Sequence, residues 1–483
     1  MNPVKGSGMK KDMKKANKEM EYESFLESKR QLAGSFGFSP IYKPDEMFEF
    51  QSRLLDWSLK KGRAAIFADC GLGKTFIQLS FAENILRKKN KNVLILTPLA
   101  VSHQTVKEGK KFGIDVTRSD NGKIPCNGAS IVVTNYERLH YFDPKDFVGV
   151  VCDESSILKN FKGSTKKMVT EFVRLIPYRL LCTATAAPND YIELGTSSEA
   201  LGDLGYMDML QKFFKANDGS YAQGGGATSR TRWSQFGGKF RMKPHAERDF
   251  WRWVCSWSRA IRKPSDMGCS DEGFELPKLS TRQHIVESKT ANPEFLFDLP
   301  AHGLAEQRSE RTRTVEERCE KAAEIVNGED AQFVSWCHTN KEGDSLESMI
   351  DDCVQVSGSD SDEFKEESFR AFETGEIKAL ITKPTIAGFG LNWQHCHRQT
   401  FFPSHSFEQY YQAIRRSWRF GQKKPVTIDV ISSEGEANVL KNLQRKAAAA
   451  SEMFDNLVAH MHEELKMEKQ DIYTELNTLP KWL

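Results

Sequence analysis

The stretch Ala68-Asp69-Cys70-Gly71-Leu72-Gly73-Lys74-Thr75 decides the fold, because it places two glycines and a Lys-Thr pair between an apolar run and a helix-like segment. Glycines let backbone N–H groups close around phosphate oxygens, and the following helix directs its positive end at them. In such a turn the Lys74 ammonium reaches the β- and γ-phosphates, and the Thr75 hydroxyl binds Mg²⁺. Its first position is Ala68, where the general phosphate loop has glycine. The stretch predicts a nucleotide-binding turn formed by Gly71, Leu72, Gly73, Lys74 and Thr75.

Short apolar runs on both sides of this turn follow the rhythm of a parallel sheet. They alternate with helix-like stretches such as 76–88 and 165–175, and near-continuous Val, Ile and Leu runs are typical of strands buried on both faces. In the first half of the chain the runs are 64–68, 93–97, 131–134, 150–153 and 180–183. After a pause near residue 202 they resume as 333–335, 354–357, 379–382, 400–402 and 426–431. The sequence therefore predicts an α/β protein with two parallel-sheet lobes.

Length and composition restrict the class of protein. The chain has 483 residues, of which 39% are hydrophobic and 28% charged, as in ordinary globular proteins. Its apolar runs are far shorter than the roughly 20 residues that span a bilayer, and no signal peptide is visible. We therefore expect a soluble, intracellular protein with no membrane partner. The 68 basic and 66 acidic residues nearly balance, so any surface for nucleic acid must be local.

Ten cysteines are scattered along the chain without a C-x-x-C pair. In a chain of this size, that pattern predicts reduced core thiols rather than a disulfide framework or a zinc ribbon. Soft metal ligands crowd together only in the run His395-Cys396-His397. Adjacent side chains rarely point at one ion and no second ligand pair follows, so metal binding by this run is disfavoured.

The apolar run 150–153 ends in Asp153, and a second acidic residue, Glu154, follows it. The position of the run in the first lobe predicts that Asp153 lies at the carboxyl edge of the sheet, next to the phosphate-binding turn. There Asp153 can hold the Mg²⁺ shell while Glu154 polarises an attacking water. The alternative is a pair of surface acids in a loop, which the place of the pair after a phosphate-binding turn disfavours.

Together these residues resemble the superfamily 2 helicases, and within them the Swi/Snf-like group of ATP-driven DNA translocases. The resemblance covers roughly residues 40–432. It includes Phe48-Glu49-Phe50-Gln51, which is similar to the family's adenine-reading element and implies that Gln51 hydrogen-bonds the base. A single glutamine on an amphipathic helix is the alternative interpretation of that element.

Three further first-lobe segments resemble family elements. The segments 96–101 and 134–137 look like elements that touch the nucleic-acid backbone, which implies DNA contacts by Thr97, Pro98, Thr134 and Asn135. The segment 183–189 looks like the element that links nucleotide state to the DNA track, which implies a coupling role for Thr183 and Thr185. Each segment could also be an ordinary junction between a strand and a loop.

The second lobe carries a turn similar to the family's Ala-Gly-Gly-x-Gly-Leu-Asn element. This turn is Ala387-Gly388-Phe389-Gly390-Leu391-Asn392, with Phe389 shifting the match at its centre. The resemblance implies that Gly390 contacts ATP and that Asn392 contacts DNA.

Residues 412–422 match the family's Gln-x-x-x-Arg-x-x-Arg-x-Gly-Gln element. The match gives Gln412 a coupling position and places Arg416 and Arg419 as arginine fingers, which contact ATP and stabilise charge on its γ-phosphate from across the cleft. Arg415 is an additional basic residue, which we interpret as a solvated surface residue or a contact to the DNA backbone.

The acidic element departs from related groups in ending with Ser155-Ser156. Related groups have Ala-Asp, Ala-His or Gly-His there, so the Ser-Ser pair leaves the coupling chemistry open and disfavours the RNA-remodelling group. Compact size and Ser-Ser are features of phage or prophage members of the Swi/Snf-like group. The resemblance thus implies a phage-type protein acting in the cytoplasm of a bacterial host.

The resemblance implies two RecA-like lobes, a helical insertion, a helical C-terminal tail, and the use of ATP and Mg²⁺. The expected boundaries are a basic leader, the first lobe, the insertion, the second lobe and the tail, at 1–36, 37–201, 202–275, 276–432 and 433–483. The implied activity is ATP hydrolysis that drives translocation on, or remodelling of, double-stranded DNA. A strand-separating DNA helicase and a nucleotide-gated DNA-binding subunit of a restriction, repair or packaging complex are the alternatives.

The insertion has its own chemical character. Residues 228–263 contain ten basic and two acidic residues, a local charge of +8, and four of the nine tryptophans. One helical face is predicted to be core, because four apolar residues recur at helical spacing: Phe250, Val254, Trp257 and Ile261. Three of the basic residues are candidates for an added DNA contact: Arg241, Lys243 and Arg248. The alternative is a packed helix with solvated basic side chains.

Overall fold

The computed structural model describes residues 36–125, 128–187, 190–216, 240–287, 311–387, 391–404 and 406–471. The predicted leader 1–36 lies almost entirely outside this part of the chain. The described elements up to residue 261 are, in chain order, α1 (Glu49–Lys61), β1 (Arg63–Ala68), α2 (Lys74–Lys89), β2 (Asn92–Thr97), α3 (Ser102–Lys111), β3 (Val116–Arg118), β4 (Ile131–Asn135), β5 (Phe147–Cys152), α4 (Ser164–Arg174), β6 (Tyr178–Thr183), α5 (Leu194–Leu201), α6 (Tyr206–Phe213), β7 (Phe214–Ala216), β8 (Phe240–Met242), α7 (Glu247–Trp257) and β9 (Ser258–Ile261).

A seven-stranded parallel sheet in the order β3-β4-β2-β5-β6-β1-β9 forms the first lobe. Its five long strands contain the five apolar runs of the first half of the sequence, except that β5 ends at Cys152, one residue before the end of the run 150–153. Nearly all their side chains are buried, as a sheet covered by helices on both faces requires. Since β6 lies between β5 and β1, the loops that follow these three strands meet at one edge of the sheet.

A six-stranded parallel sheet in the order β10-β15-β14-β11-β13-β12 forms the second lobe. Its elements and the tail are β10 (Leu279–Val286), α8 (Val315–Asn327), β11 (Phe333–Trp336), α9 (Asn340–Met349), β12 (Cys353–Val356), α10 (Asp362–Thr374), β13 (Ala379–Thr382), α11 (Pro384–Ala387), β14 (Arg398–Phe401), α12 (Phe407–Ile414), β15 (Val426–Ser433) and α13 (Ala437–Asp471). Two parallel α/β lobes, each with its own buried core, confirm the predicted fold class.

The sequence predicts a helical insertion at 202–275, but part of this segment belongs to the sheet of the first lobe. Its strand β9 pairs in parallel with β1 at the edge of the first sheet, with Ala65 opposite Ser258 and Ala68 opposite Ile261. Helix α7 ends at Trp257, so Ile261 belongs to the strand and not to the helical stripe. Ile261 matches the helical spacing of Phe250, Val254 and Trp257 only by coincidence, because a four-residue strand follows the helix without a break.

The tryptophans of α7 are part of the first-lobe core. Trp251, Trp253 and Trp257 are at most 2% exposed, and the Trp257 ring packs edge-on against Phe67 of β1 with ring centroids 6.1 Å apart. An aromatic side chain in this position removes a large apolar area from water. The aromatic content of the segment therefore stabilises the lobe.

We expect the substitution Trp257→Ala to lower the free energy of unfolding by about 3–5 kcal/mol, because it leaves a cavity beside Phe67. Urea denaturation followed by circular dichroism measures the change. The matched control is Leu175→Ala, since Leu175 is a large apolar residue that is 70% exposed; we expect it to shift stability by less than about 0.5 kcal/mol. Equal effects of the two substitutions would contradict a core role for Trp257.

The tail helix α13 joins both lobes. Near its start Val439 and Leu443 are buried, and further along Met453, Leu457 and Met461 are buried in the core of the first lobe. Polar contacts reinforce the second region: Arg262 donates to Ser451 Oγ at 3.2 Å and forms an ion pair with Asp455. The helix predicted after residue 433 therefore connects the end of the second sheet to β9 and α7 of the first lobe.

Candidate nucleotide site

The predicted phosphate loop lies between β1 and α2, where two glycines have backbone conformations that other residues rarely adopt. Gly71 has φ 88° and Gly73 has φ 75°, both in the left-handed region. A Cβ atom on Gly73 would lie 2.3 Å from Gln51 Nε2, and one on Gly71 would lie 2.9 Å from Phe420 Cδ2 of the second lobe. Side chains at these two positions are therefore excluded both by backbone conformation and by close neighbours.

Lys74 and Thr75 begin helix α2 directly after the loop. The Lys74 ammonium donates to the carbonyl oxygens of Ala68 at 2.9 Å and Asp69 at 3.4 Å, so it lies against the predicted phosphate loop. Unpaired N–H groups and the positive end of the helix dipole lie at the same place. The arrangement suits the binding of an anion such as a phosphate group.

Gln51 connects helix α1 to the phosphate loop. Its Nε2 donates to the carbonyl of Leu72 at 2.9 Å, and its Oε1 accepts from the backbone N–H of Phe48 at 3.1 Å. The side chain is buried, and both ends of its amide have protein partners. A contact between Gln51 and an adenine base stays a prediction.

The acidic pair follows β5 and lies beside helix α2. Asp153 Oδ1 accepts a 2.6 Å hydrogen bond from Gln78 Nε2, and Gln78 lies one helical turn after Thr75. Burial, together with the neighbouring Glu154 charge, raises the pKa of Asp153 to about 7, while Lys74 and Gln78 act in the opposite direction. The predicted Mg²⁺ ligands, Thr75 and Asp153, are thus positioned from adjacent elements.

Glu154 has φ 47° and ψ 53°, a left-handed conformation that is uncommon for a residue with a side chain. Backbone strain of this kind is concentrated at functional sites. Glu154 Oε2 accepts a 3.1 Å hydrogen bond from Thr183 Oγ1, and Thr183 Oγ1 in turn accepts from the backbone N–H of Thr185 at 3.0 Å. Thr183 is therefore in direct contact with the predicted general base, and Thr185 is joined to it through Thr183.

The arginine-rich element of the second lobe follows α12. Arg416 donates to the Gln412 carbonyl at 3.0 Å, to Gln412 Oε1 at 3.0 Å and to the Leu391 carbonyl at 2.9 Å. Arg419 donates to the same Leu391 carbonyl at 3.2 Å. Within the described part of the chain, neither guanidinium forms an ion pair with a carboxylate. Burial and the Arg416 charge lower the pKa of Arg419 to about 10, so it stays protonated at neutral pH.

This element packs against the phosphate loop. The Phe420 ring lies over Gly71, and the Cys70 thiol faces Gln412 Oε1 at 3.9 Å. Two groups of predicted site residues, one from each lobe, therefore meet across the cleft. Gly390 lies outside the described residues, and Asn392 is exposed at the surface.

A cavity of about 680 Å³ lies between the lobes beside this contact. Its walls come from the coupling segment, the connection between the sheets, the arginine-rich element and the tail helix, and include Thr185, Phe274, Tyr411, Trp418 and Phe454. Four parts of the chain that are distant in sequence therefore border one space next to the phosphate loop.

The residues predicted to touch DNA from β2 and β4 are mostly buried. Thr97, Thr134 and Asn135 are fully buried, and Pro98 is half-buried. Among the described residues their side-chain polar atoms have no hydrogen-bond partner. Direct contact with a DNA phosphate requires an accessible side chain, so in this conformation these three side chains do not form the predicted surface. They lie on two adjacent inner strands, where Thr97 is paired in register with Asn135.

The three basic candidates near α7 have different environments. Lys243 Nζ donates to the carbonyls of Gln211 at 2.7 Å and Lys212 at 3.1 Å, so it caps the C-terminal end of α6. Arg248 is exposed on α7, and Arg241 is half-buried in β8. Only the two arginines are therefore suited to a test of DNA binding that leaves the fold intact.

Cys396, which lies between His395 and His397 in the sequence, is part of the second-lobe core. Cys396 is fully buried, and its thiol donates to the carbonyls of Gln332 at 3.3 Å and Arg398 at 3.2 Å. The described residues contain no group of three or more His, Cys, Asp or Glu side chains placed to hold a metal ion. Nor does any described helix combine the length and apolar character needed to cross a membrane.

The two parallel-sheet lobes match the tandem RecA-like fold. The structure of S. cerevisiae Dbp5 bound to RNA and ADP BeF3 is similar over 86% of this chain and 93% of that chain, with 11% identity and a TM-score of 0.52. The Sulfolobus solfataricus SWI2/SNF2 ATPase core in complex with dsDNA covers 91% of this chain and 99% of that chain, with 17% identity and a TM-score of 0.40. No protein-family model and no curated protein matches the sequence.

Proposed function

We propose that this protein is a DNA-stimulated ATPase of the Swi/Snf-like group of superfamily 2, of the phage or prophage type, that moves along duplex DNA in the cytoplasm of a bacterial host. The observation that carries the proposal is the packing of the arginine-rich element of the second lobe on the phosphate loop of the first. A site assembled from two lobes changes shape with the nucleotide that it holds. Such a change can alternate the grip of each lobe on a DNA track.

Each site residue has a role in hydrolysis under this proposal. Lys74 binds the β- and γ-phosphates, and Glu154 orients and polarises the attacking water. Arg416 and Arg419 stabilise charge on the transferring phosphoryl group, since their guanidinium groups have no carboxylate partner within the described residues. Thr183 passes the state of Glu154 to the coupling segment through the hydrogen bond that joins them.

The side chains beside the phosphate loop fit a Mg²⁺ ion. A hydroxyl oxygen from Thr75 and a carboxylate oxygen from Asp153 are hard ligands, and Mg²⁺ in nucleotide sites takes few protein ligands and completes its shell with water and phosphate oxygens. When bound, Mg²⁺ neutralises charge on the β- and γ-phosphates. Asp153 is buried beside Gln78, which fixes the orientation of the carboxylate.

Steady-state ATP hydrolysis with four additions tests the proposal: buffer, duplex DNA, single-stranded DNA and RNA at equal nucleotide concentration. We expect severalfold stimulation by duplex DNA and weaker stimulation by the other two. An equal rate with and without nucleic acid would favour the nucleotide-gated subunit, and stimulation by RNA alone would overturn the assignment to DNA. A strand-displacement assay separates translocation from true unwinding, because only unwinding releases the displaced strand.

Reversal of Arg241 and Arg248 to glutamate is expected to weaken duplex binding. Each lost phosphate contact reduces the slope of log Kd against log salt concentration by about 0.9, so the double variant should lose up to roughly two units of slope. Lys243 stays unchanged because its ammonium caps α6. Fluorescence anisotropy at several salt concentrations measures both quantities.

The matched control reverses two exposed lysines, Lys60 and Lys91, which lie just before strands β1 and β2. This control carries the same change in net charge and is expected to keep most of the affinity. If the Arg241 and Arg248 variant binds duplex DNA as the wild type does, with the same salt slope, the basic segment is scaffolding or a surface for a protein partner.

A further inference from the structure

Arg415 occupies a different place from the one that the sequence favoured. It is 3% exposed, and its guanidinium forms an ion pair with the carboxylate of Asp69, which is 4% exposed. Asp69 is the second residue of the phosphate-loop stretch in the first lobe, whereas Arg415 belongs to the second lobe. The pair is therefore a buried electrostatic contact across the cleft.

Both partners are fixed by further contacts. Asp69 Oδ1 accepts from the backbone N–H of Cys70 at 2.6 Å and from the hydroxyl of Tyr411. Arg415 donates to the Trp418 carbonyl at 3.1 Å, and its guanidinium lies 4.4 Å from the centre of the Trp418 ring. Arginine in a buried pair offers a rigid planar fork, so its geometry is well defined. The contact thus holds two loops in one relative position.

The two ends of this contact lie next to the residues that the proposed reaction uses. Asp69 precedes the two loop glycines, and Arg415 directly precedes Arg416. Among the described residues, Arg416 and Arg419 have only carbonyl and amide partners, so they remain available for an anion. Arg415 differs because its charge is already neutralised by Asp69. It is consequently suited to hold the other two arginines in place and not to bind phosphate itself.

We infer that Arg415 is a positioning residue, which pairs with Asp69 to hold the arginine fingers against the phosphate loop before and during ATP hydrolysis. The inference rests on the proposed function for its catalytic consequence, while the interlobe contact itself does not depend on that function. Loss of one partner leaves an uncompensated buried charge, which separation of the lobes would expose to water. The fingers would then be displaced from the γ-phosphate.

Two substitutions at one position distinguish charge from packing. Arg415→Met keeps most of the apolar volume and removes the charge, and we expect it to lower kcat by about 10²-fold with little change in KM for ATP, because a small displacement of catalytic groups has this effect. Arg415→Lys keeps a charge for Asp69 and should recover part of the lost kcat. Wild-type kcat for the Met variant, or a Lys variant no better than Met, overturns the inference.

A double-mutant cycle tests whether Asp69 and Arg415 act as one unit. Asp69→Asn alone should lower kcat, and the double variant should be no worse than the poorer single variant, since both changes remove the same pair. Additive losses in kcat would mean that the two residues act separately. The matched control is Lys159→Met, which removes the ion pair between the turn after Glu154 and Glu408 of α12 and should lower kcat far less.

The distance between the lobes in nucleotide-free protein gives a readout that needs no catalysis. Spin labels at Lys91→Cys and Glu366→Cys, both exposed and on different lobes, report this distance by electron–electron double resonance. We expect Arg415→Met to lengthen and broaden the distribution and Arg415→Lys to restore it; an unchanged Met distribution overturns the inference. If the wild type hydrolyses no ATP, the proposed function fails, but these distances still show whether the Asp69–Arg415 pair holds the two lobes together. Three cysteines are first replaced by serine so that they do not take up the label. Cys269 and Cys353 are partly exposed, and Cys126 lies outside the described residues.

Discussion

Replacement of Glu154 by glutamine is expected to lower DNA-stimulated kcat by about 10²–10⁴-fold, the usual contribution of a general base. Glutamine has nearly the same shape and can still accept the hydrogen bond from Thr183, so the fold and the loop should be retained. It cannot attract a proton from water. Removal of the Glu154 charge also relieves its repulsion with Asp153, so binding of ATP should be unimpaired.

Rapid-quench measurement of ATP hydrolysis, together with equilibrium binding of a fluorescent ATP analogue, separates the two effects for Glu154→Gln. Thr183→Val is the matched comparison, because it keeps the carboxylate and removes the hydrogen bond that orients it, together with the bond from the Thr185 N–H; we expect a smaller loss. If Glu154→Gln hydrolyses ATP at the wild-type rate, another group activates the water and the role given to Glu154 is wrong.

The second large effect is expected for Arg416→Ala and Arg419→Ala. Loss of an arginine finger lowers kcat by about 10³-fold or more in related phosphoryl-transfer chemistry. The affinity for ATP should change only slightly, because a cation that acts on the transition state adds little to ground-state binding. Both residues reach the cleft from the second lobe, where the Leu391 carbonyl holds their guanidinium groups together.

The matched control for these variants is Arg370→Ala, which removes an exposed arginine of the same lobe that pairs with Glu376. It should leave kcat and ATP affinity unchanged. Since Arg416 also binds Gln412, thermal unfolding of each variant is measured alongside. Equal losses of ATP affinity and of kcat for Arg416→Ala would indicate a ground-state contact and would contradict the finger assignment.

Sequence patterns were sufficient for the parts of the fold that are buried on both faces. The inner strands of both sheets read as continuous apolar runs because helices cover them on either side. The edge strand β10 does not, since its side chains are exposed or half-buried along its length. Helix α2 follows from the glycine turn that starts it and from the basic residues in its last turn. The short strand β9 could not be predicted, since its last residue, Ile261, continues the apolar spacing of α7 and only pairing with β1 makes the segment a strand.

The site was partly predictable for a similar reason. Lys74, Asp153 and Glu154 lie just beyond the carboxyl ends of β1 and β5, which the topology of a parallel sheet must bring to the same edge. Contacts across the cleft are different, because they depend on how two lobes pack, and no local pattern records this. Arg415 looked like a surface residue for that reason, although the acidic Asp69 next to a buried strand was a signal that a buried cation could lie nearby.

The most direct test of a single ATP-hydrolysing site on the phosphate loop compares wild type with Lys74→Ala at saturating ATP and duplex DNA. Lys74 lies against the loop at the start of α2, and its ammonium bonds only to loop carbonyls among the described residues, so its loss should leave the fold unchanged. We expect DNA-stimulated ATP turnover by the wild type and none above background by the folded variant. Turnover by Lys74→Ala at the wild-type rate, or no turnover by the wild type with any nucleic acid, would contradict this prediction.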